Sequence, residues 1–529
     1  MNDNNNGPPA AGSQQNELLY SYCKSESLSE EGLEGLREMI EWNELMTPNS
    51  DARGGNNYAF FFCACYNEGV TEGIIRYLLE CFPDAARATN SHGVSPLHGA
   101  CANKNATLSI IRLLIDAAPE AISSVDKDGL MPLHALCNNS KVDEAAAIQI
   151  LKLLVEEYPH AVRHANNGGY LPIHLASCRG RSPEFCRVLI EAYPGSERTP
   201  DVKGVLPLHG ACLKGSLATV EYLYRKYPEA IATATTDEHG VYPIHVAILS
   251  LSSIKRENPA TAVEIVQFLL NCDPNQKLIQ AKGISLLHYA CAQQYTDSNI
   301  GAAIQIIKIL FDAHPEAIEN NRIAANINRF HRQVQAFING ELVYARQAKD
   351  HRLVHTPDIN GQLPLHKALQ NNVRLGSIKL LVKGNPSALR TLENNFALPL
   401  HIACQHHNSA IVVEHLLSLD TRTLRAVDID NNTALHYACR GAKHDTIAML
   451  LEKYDIASVS KRNAHDKLPI DLLWESNAVE DRESIEYTGS VFQLMRAYPE
   501  MVATRNSMVN RPVDADATLN GKKRKLGVV

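Results

Sequence analysis

One nine-residue phrase recurs through the chain and limits what the chain can fold into. Its fullest form is Gly-x-x-Pro-Leu-His-x-Ala-Cys, and the copy from Gly204 to Cys212 reads GVLPLHGAC. Most copies lie 35 or 36 residues apart, and one interval of 78 residues is about two periods long. A fixed period of this length is typical of a solenoid in which each repeat contacts only its neighbours. The phrase is marked by its histidine, at His98, His134, His174, His209, His245, His288, His366, His401 and His436.

Each copy of the phrase predicts a pair of helices. The Gly supplies a positive φ for a turn, and the Pro three residues later suits the first turn of a helix. A second helix follows, with apolar residues at helical spacing such as Ile110, Ile111 and Leu114. This helix is predicted to stop before a recurring proline, because the residue before Pro is pushed out of the α region. These prolines are Pro83, Pro119, Pro159, Pro194, Pro228, Pro315 and Pro499.

Seven of the thirteen cysteines are explained by the same register. Six lie three residues after a repeat histidine, and Cys65 in the degenerate copy FFFCAC takes this position if Phe62 stands where the His would be. Small, buried, reduced thiols are the natural interpretation of residues in register with one another. The six are Cys101, Cys137, Cys212, Cys291, Cys404 and Cys439.

The helix pair with its Pro-Leu-His-x-Ala signature resembles the ankyrin repeat. The resemblance extends from about Glu17 to Val502 and includes about nine clear repeats plus degenerate and capping copies. It implies an all-α ankyrin-repeat solenoid of stacked helix-turn-helix units. One departure concerns the Thr that precedes Pro in the family and bonds to the histidine, because most copies here lack a hydroxyl at that position. The residues found there are Ser95, Met131, Leu171, Leu206, Tyr242, Leu363 and Leu398.

The ends of the chain differ in composition from the repeats. Residues 1–16 are too polar to offset the entropy of ordering, and we predict that they are disordered. Residues 17–50 are predicted to form an N-terminal capping repeat, and 460–502 a C-terminal cap with Asp471 in the place of the histidine. The tail from 503 to 529 is predicted to be disordered and basic.

The long interval after His288 contains an insert, residues 320–357. An apolar stripe at helical spacing predicts one helix ended by Gly340, and a second helix from about Glu341 to Asp350 completes a helical hairpin. The stripe consists of Ile323, Ile327, Phe330, Val334, Phe337 and Ile338.

The insert is basic in a chain that carries a net charge of −7. Three interpretations remain open: a structural filler, a docking element for a protein partner, or a contact for RNA or an anionic ligand. We place protein docking first and nucleic acid last, because few aromatic residues lie between the charges. The charged residues are Arg322, Arg329, Arg332, Arg346, Lys349 and Arg352.

No catalytic or metal-binding motif stands out in the sequence. A phosphate-binding loop, HExxH, GxSxG and paired CxxC motifs are all missing. The repeat histidines are spaced along a rod rather than gathered in one constellation, so we predict that each one hydrogen-bonds turn backbone between adjacent repeats. We therefore expect no enzyme, no cofactor and no metal.

The sequence favours a soluble, intracellular protein. Its N-terminus has no basic or apolar region of the kind found in secretory signals, and no apolar run approaches the roughly 20 residues of a membrane-spanning helix. The basic run Lys522, Lys523, Arg524 and Lys525 is either a nuclear import signal or a solubilising tail. We expect a cytoplasmic or nuclear location, or both.

The resemblance to ankyrin repeats implies a scaffold or adaptor for protein–protein interaction. Partner proteins would lie on the concave surface made by the turns and first helices. The alternative is a nuclear regulatory protein that contacts nucleic acid or an anionic ligand through the basic insert. Neither a membrane nor a small-molecule ligand is expected.

Overall fold

The computed structural model describes residues 11–26, 28–29, 31–46, 58–252, 258–275, 280–281, 283–319, 321–406, 409–453, 459–476 and 485–498. The chain divides into two compact units, unit 1 from Met1 to Gln335 and unit 2 from Ala336 to Val529. In both units, helices are stacked in an inner and an outer layer, so the predicted all-α solenoid fold is confirmed.

The inner layer of unit 1 holds the first helix of each repeat. Each inner helix contacts the one before it and the one after it. Most of them begin at the proline of the recurring phrase. The inner helices are α1 (Ala11–Lys24), α3 (Ala59–Tyr66), α5 (Pro96–Ala102), α7 (Pro132–Asn138), α9 (Pro172–Cys178), α11 (Pro207–Lys214), α13 (Pro243–Ser252), α15 (Leu286–Cys291) and α17 (Asn321–Asn326).

The outer layer of unit 1 holds the second helices, and consecutive helices contact each other from the second one onward. Near the N-terminal end, Arg37 lies over the ring of Tyr77 at 5.4 Å and joins the first two outer helices. The outer helices are α2 (Leu33–Met46), α4 (Glu72–Cys81), α6 (Leu108–Ala117), α8 (Glu144–Glu157), α10 (Pro183–Ala192), α12 (Leu217–Lys226), α14 (Ala260–Cys272) and α16 (Ile300–Ala313).

Side chains at the helix ends explain where the outer helices start and stop. The hydroxyl oxygen of Thr107 accepts a hydrogen bond from the backbone N–H of Ile110 and caps the start of α6. The same helix ends at Ala117, and Pro119 then begins a short 3₁₀ helix that runs to Ser123. The predicted stop before the recurring proline is confirmed, since α4, α8, α12 and α16 end in the same way.

Unit 2 repeats this arrangement, with successive contacts in both layers. Its core contains Cys404, Cys439 and the apolar faces of both layers. The inner helices are α20 (Pro364–Gln370), α22 (Pro399–His406), α24 (Ala434–Arg440) and α26 (Pro469–Glu475). The outer helices are α19 (His351–His355), α21 (Leu375–Gly384), α23 (Ala410–Leu419), α25 (His444–Lys453) and α27 (Ile485–Ala497).

The structure corrects the prediction for the N-terminal boundary. Residues 1–16 were expected to be disordered, but α1 begins at Ala11. Ala and Gln are good helix formers, and Ala11, Gln14 and Gln15 extend the helix toward the N-terminus. Residues 1–10 lie outside the described part of the chain.

The predicted helical hairpin in the insert is wrong. One helix, α18 (Arg332–Lys349), runs through Gly340, where a second helix was expected to begin. Glycine inside a helix costs only about 1 kcal/mol. Ile338 and Ala345, seven residues apart on one helix face, are both buried, and this burial outweighs the cost.

The ends of the insert are packed into their own units. In unit 1, α17 contacts α15 and contributes buried Ile323, while the Phe330 ring lies 6.1 Å from the ring of His288. In unit 2, the side-chain amide of Asn385 donates to the carbonyl oxygen of Val354 in α19, at 3.1 Å. The packing favours the structural-filler interpretation of the insert over a free docking element.

The cysteines in register are buried in the core of the two units. All six that follow a repeat histidine, together with Cys65, have no exposed surface, and none forms a disulfide. Burial raises the pKa of six of these thiols, so they remain protonated. The six are Cys65, Cys101, Cys137, Cys291, Cys404 and Cys439. The interpretation as small core residues is therefore confirmed.

The one strand pair among the described residues is minimal. Strands β1 (Gln280–Ala281) and β2 (Ile284–Ser285) are antiparallel, with Ala281 opposite Ile284. Gly283 between them has a φ of 69°. The pair forms the turn that leads into α15.

Candidate interaction surface

Most of the repeat histidines use both ring nitrogens, Nδ1 within their own repeat and Nε2 to reach the next one. The backbone N–H of Leu206 donates to Nδ1 of His209 (3.1 Å), and Nε2–H of His209 donates to the carbonyl oxygen of Val241 in the next repeat (3.3 Å). Because Nδ1 accepts and Nε2 donates, the ring is the neutral Nε2–H tautomer. The same pair of bonds is made by His98, His134, His174, His366, His401 and His436.

The histidine bond within a repeat does not depend on the Thr that most copies lack, because a backbone N–H makes it. At Met131, Leu171 and Leu206, the residue's own N–H donates to the histidine three positions later. Where a hydroxyl is present it adds a bond, since the Ser95 and Thr433 hydroxyls lie 2.8 and 2.9 Å from the Nδ1 of their histidines. The backbone N–H is supplied by any residue other than Pro, so the joint does not require Thr.

Burial shifts the titration of these histidines. It lowers the pKa of His134, His209, His245 and His436 to about 4, although their hydrogen bonds or nearby acids partly oppose the shift in three of them. Burial also lowers the pKa of His98, His174, His366 and His401. A set of neutral, buried imidazoles in backbone hydrogen bonds is an arrangement that stabilises a stack.

His245 and Asp471 depart from this pattern. Nε2 of His245 has no hydrogen-bond partner among the described residues, and its ring packs edge-on against Tyr289 at 4.9 Å. In the last repeat, a carboxylate oxygen of Asp471 accepts from the backbone N–H of Leu468 at 2.9 Å. Asp471 therefore reproduces the Nδ1 half of the histidine's role.

Backbone hydrogen bonds link the turns of successive repeats, from His92 to Thr236 in unit 1 and from Asn360 to Ala464 in unit 2. In one turn, a carboxylate oxygen of Asp126 accepts from the backbone N–H groups of Asp128 and Leu130. The next link is made by backbone, since Lys127 N–H donates to the carbonyl oxygen of His92 at 2.9 Å. Gly204 belongs to the same system, because an added Cβ would lie 2.6 Å from the nitrogen of Thr236.

Polar side chains join the C-terminal ends of neighbouring inner helices, and this set of hydrogen bonds is here called the polar ladder. The side-chain amide of Asn103 donates to the carbonyl oxygens of Cys65 and Asn67 in the previous repeat, at 3.0 and 2.7 Å. Asn139 does the same to Cys101 and Asn103. These amides satisfy carbonyl groups that the end of a helix leaves without intrahelical partners. The sequence analysis missed this ladder.

Arg181 continues the ladder with a different side chain. Its guanidinium donates to the carbonyl oxygens of Leu136 and Asn139 and forms an ion pair with Glu144 (2.8 Å). The Arg181 side chain is only 3% exposed, and it lies over the ring of Phe185 at 4.9 Å. Burial alone would raise the pKa of Glu144, but hydrogen bonds from Ser182 and Arg181 hold it below its usual value.

A groove of about 710 Å³ opens at the degenerate first copy, between α3 and the turns of the next two repeats. Its floor is aromatic, with the rings of Phe62 and Tyr66 5.0 Å apart. Tyr66 is 46% exposed although its ring is large and largely apolar. Lining residues from α1 and the turns are Lys24, Asn90, His92, Val94, Asp126, Lys127 and Asp128.

Gly99 shapes the floor of this groove. A Cβ added at Gly99 would lie 2.9 Å from the ring of Tyr66, so only glycine allows the ring to rest on α5. Phe62 stands where other copies have the histidine, and the groove is thus the place where the recurring phrase gives way to aromatic residues. The FFFCAC sequence was the available signal for it.

The basic residues predicted in the insert lie on the surface. Arg329 and Arg332 are exposed in unit 1, whereas Arg346, Lys349 and Arg352 are exposed in unit 2. The following residues fall outside the description: the side chain of Arg322, and all of Lys522, Lys523, Arg524 and Lys525.

The fold, the histidine bonds and the polar ladder together define a class of protein. This class is the helical repeat proteins, whose surface is assembled from stacked turns and inner helices. A family model described as ankyrin repeats, in three copies, matches residues 100–198 and 365–463. The chain therefore contains ankyrin repeats in both of its units.

Two negative findings accompany the family match. No curated protein sequence matches the chain at a significant level. Within the residues that the structure describes, no helix has both the length and the apolar character needed to cross a membrane.

Proposed function

We propose that this protein is a non-catalytic scaffold that binds a partner protein in the aromatic groove of unit 1. Ankyrin repeats in general mediate protein–protein interaction. The observation that carries the proposal for this chain is the pair of half-buried Phe62 and exposed Tyr66 at the base of a groove. Aromatic side chains that project into a concave surface are typical anchors at the centre of protein interfaces.

The rim of the groove adds specificity to this apolar floor. Lys24 and Lys127 supply positive charge, and Asp126 and Asp128 supply negative charge. The hydrogen bonds that the Asp126 carboxylate accepts from backbone N–H groups keep the turn in one conformation. Little ordering of the turn is therefore required on binding. We propose that a partner segment places an apolar side chain on the floor and polar groups along the rim, in the cytoplasm or the nucleus.

Affinity capture with quantitative mass spectrometry tests the proposal. The double variant Phe62→Ser and Tyr66→Ser is compared with the native chain and with Ile411→Ser, which alters an exposed apolar residue of α23. We expect at least one partner to be depleted tenfold or more by the groove variant and retained by the control. Identical partners for all three proteins, at unchanged melting temperature, would contradict the proposal.

A further inference from the structure

The turns of unit 2 expose a row of apolar side chains, here called the turn-tip strip: Ile359, Leu392, Phe396 and Ile429. Their exposed fractions are 94%, 45%, 51% and 64%. Monomeric proteins rarely expose several large apolar side chains side by side unless another surface covers them.

Hydrogen bonds hold the three turns of the strip together. The side-chain amide of Asn394 donates to the carbonyl oxygen of Ile359 at 3.1 Å, and its backbone N–H donates to that of Asn360 at 3.1 Å. Ile429 N–H donates to the carbonyl oxygen of Asn395 at 3.4 Å. With helices stacked about 10 Å apart, the strip is about 20 Å long and accepts a segment of about six extended residues.

Phe396 occupies a position that disfavours it. Its φ is 61°, and the corresponding residue in the preceding turn is Gly361, with a φ of 74°. Asn431 and Asp466, which tolerate this conformation, hold the position in the next two turns. A half-exposed Phe gains little burial in return for the strain. Strain that the fold does not repay points to a role in binding.

The strip is also acidic. The three turns contain the partly exposed Asp358, Glu393 and Asp430 and no Lys or Arg within residues 357–362, 391–397 and 427–432. Asp428 lies beneath the surface, where its carboxylate accepts hydrogen bonds from Asn432 and Tyr437. Asp358 is paired with Lys367 of α20, at 3.0 Å. The complementary occupant is therefore a segment that combines positive charge with apolar side chains.

We propose that the C-terminal segment of this chain, residues 522–529, binds the turn-tip strip. Its sequence, KKRKLGVV, joins four basic residues to Leu526, Val528 and Val529. Between Tyr498, where the description of unit 2 ends, and Lys522 lie 23 residues. By random-coil statistics, a chain of 23 residues spans roughly 26 Å on average. Such a tether gives an effective concentration on the order of millimolar, so even a weak contact is populated.

The basic run, residues 522–525, then has two states, one bound to the turn-tip strip and one released from it. When the segment occupies the strip, its lysines face Glu393 and Asp430 and are withheld from other acidic partners. Anything that binds the strip more tightly releases them. This inference concerns unit 2 and does not depend on the groove of unit 1.

Binding in trans is the first test. The full chain with Lys522, Lys523, Arg524 and Lys525 changed to Ser is titrated with a labelled synthetic peptide, TLNGKKRKLGVV, residues 518–529. We expect saturable binding that weakens at least tenfold in the strip variant, which carries both Phe396→Gly and Ile429→Ser. Ile411→Ser is the matched control, since Ile411 and Ile429 are both 64% exposed. Equal affinity for the strip variant, or no saturable binding, would overturn the proposal.

Two further experiments test whether binding requires the basic charge of the segment and whether the segment comes from the same chain or from a second copy. A peptide with EEEE in place of KKRK is expected to lose binding, and equal binding by it would count against the proposal. In the native chain, trypsin cleavage within residues 522–525 is expected to accelerate at least fivefold in the strip variant, at any protein concentration. Protection that grows with protein concentration would assign the strip to the tail of a second copy and overturn the intramolecular proposal. Because Phe396→Gly relieves strain, its melting temperature serves as the folding control.

Discussion

At the scale of single residues, the repeat histidine acts by having one acceptor and one donor nitrogen on a rigid ring. In His209, Nδ1 closes the first turn of α11 and Nε2–H reaches the next repeat. A lysine or a glutamine offers no such rigid pair, and Asp471 supplies only the acceptor. The ring thus couples the start of a helix to the position of its neighbour.

We predict that His209→Ala lowers the free energy of unfolding by about 1–3 kcal/mol, because buried backbone groups of Leu206 and Val241 lose their partners. His245→Ala is the matched control. Nε2 of His245 has no partner in the described part of the chain, so the loss there is expected to be smaller. Urea denaturation measures both variants, and equal losses would mean that the inter-repeat bond contributes nothing.

A second prediction concerns two turn glycines and separates the cost of a left-handed backbone from the cost of a close contact between neighbouring turns. Gly204 and Gly240 both have positive φ, 77° and 56°, but a Cβ at Gly240 would meet nothing within 4 Å. Gly240→Ala is expected to cost about 1 kcal/mol, the penalty for a left-handed Ala. Gly204→Ala is expected to cost about 2 kcal/mol or more, because its Cβ also meets the backbone of Thr236. Thermal unfolding of both variants measures the difference, and equal costs would contradict a tight contact between turns.

At the scale of elements, the inner helices are tied at both ends, by histidines at the start and by the polar ladder at the finish. The histidine joint was predictable because one residue type recurs at one period. The ladder changes from Asn103 and Asn139 to Arg181, and to Thr219, whose hydroxyl donates to the carbonyl oxygen of Arg181. Since amides, a guanidinium and a hydroxyl all satisfy helix-end carbonyls, the function recurs without a sequence signature.

Arg181 offers the test of this ladder. Arg181→Met is predicted to lower the free energy of unfolding by about 3 kcal/mol, because it leaves two buried carbonyls and a half-buried Glu144 without their partner. Arg187→Met is the control, since its ion pairs with Glu184 and Glu191 lie on the surface and are expected to matter little. Chemical denaturation monitored by circular dichroism compares the two, and similar effects would argue against the ladder.

The insert shows where local sequence rules give way to packing. Gly340 was a reasonable signal for a helix end, yet the buried residues on either side of it continue α18. The hydrophobic stripe itself was read correctly in that Ile323, Phe330, Val334 and Ile338 are buried. The sequence indicated which residues are buried, but not which helix would contain them, because that depends on contacts distant along the chain.

At the scale of the whole molecule, the stack is predicted to be sensitive to mild acid. Unfolded histidines titrate near pH 6.5, whereas His134, His209, His245 and His436 have pKa values of about 4 in the folded protein. Below pH 6.5 the unfolded chain binds protons that the folded chain does not. Stability therefore falls as the pH drops from 6.5 toward 4, by about 1 kcal/mol per histidine at pH 5.5.

Urea midpoints measured between pH 7.5 and 4.5 test this prediction, and a midpoint that stays constant from pH 7 to 5 would contradict it. The variant His209→Gln removes one such group. Its stability is expected to depend less steeply on pH, by about 1.4 kcal/mol per pH unit at most. The sign would reverse only if the folded protein bound these protons more tightly than the unfolded chain.

The Nε2–H bond of the histidines has one more consequence. Its proton is enclosed between two repeats and exchanges with water only when that interface opens. The ring proton of His98 therefore reports on one interface, that of His209 on another, and that of His436 on the last before Asp471. Nuclear magnetic resonance of imidazole nitrogens would follow these signals separately and show at which interface the stack begins to separate.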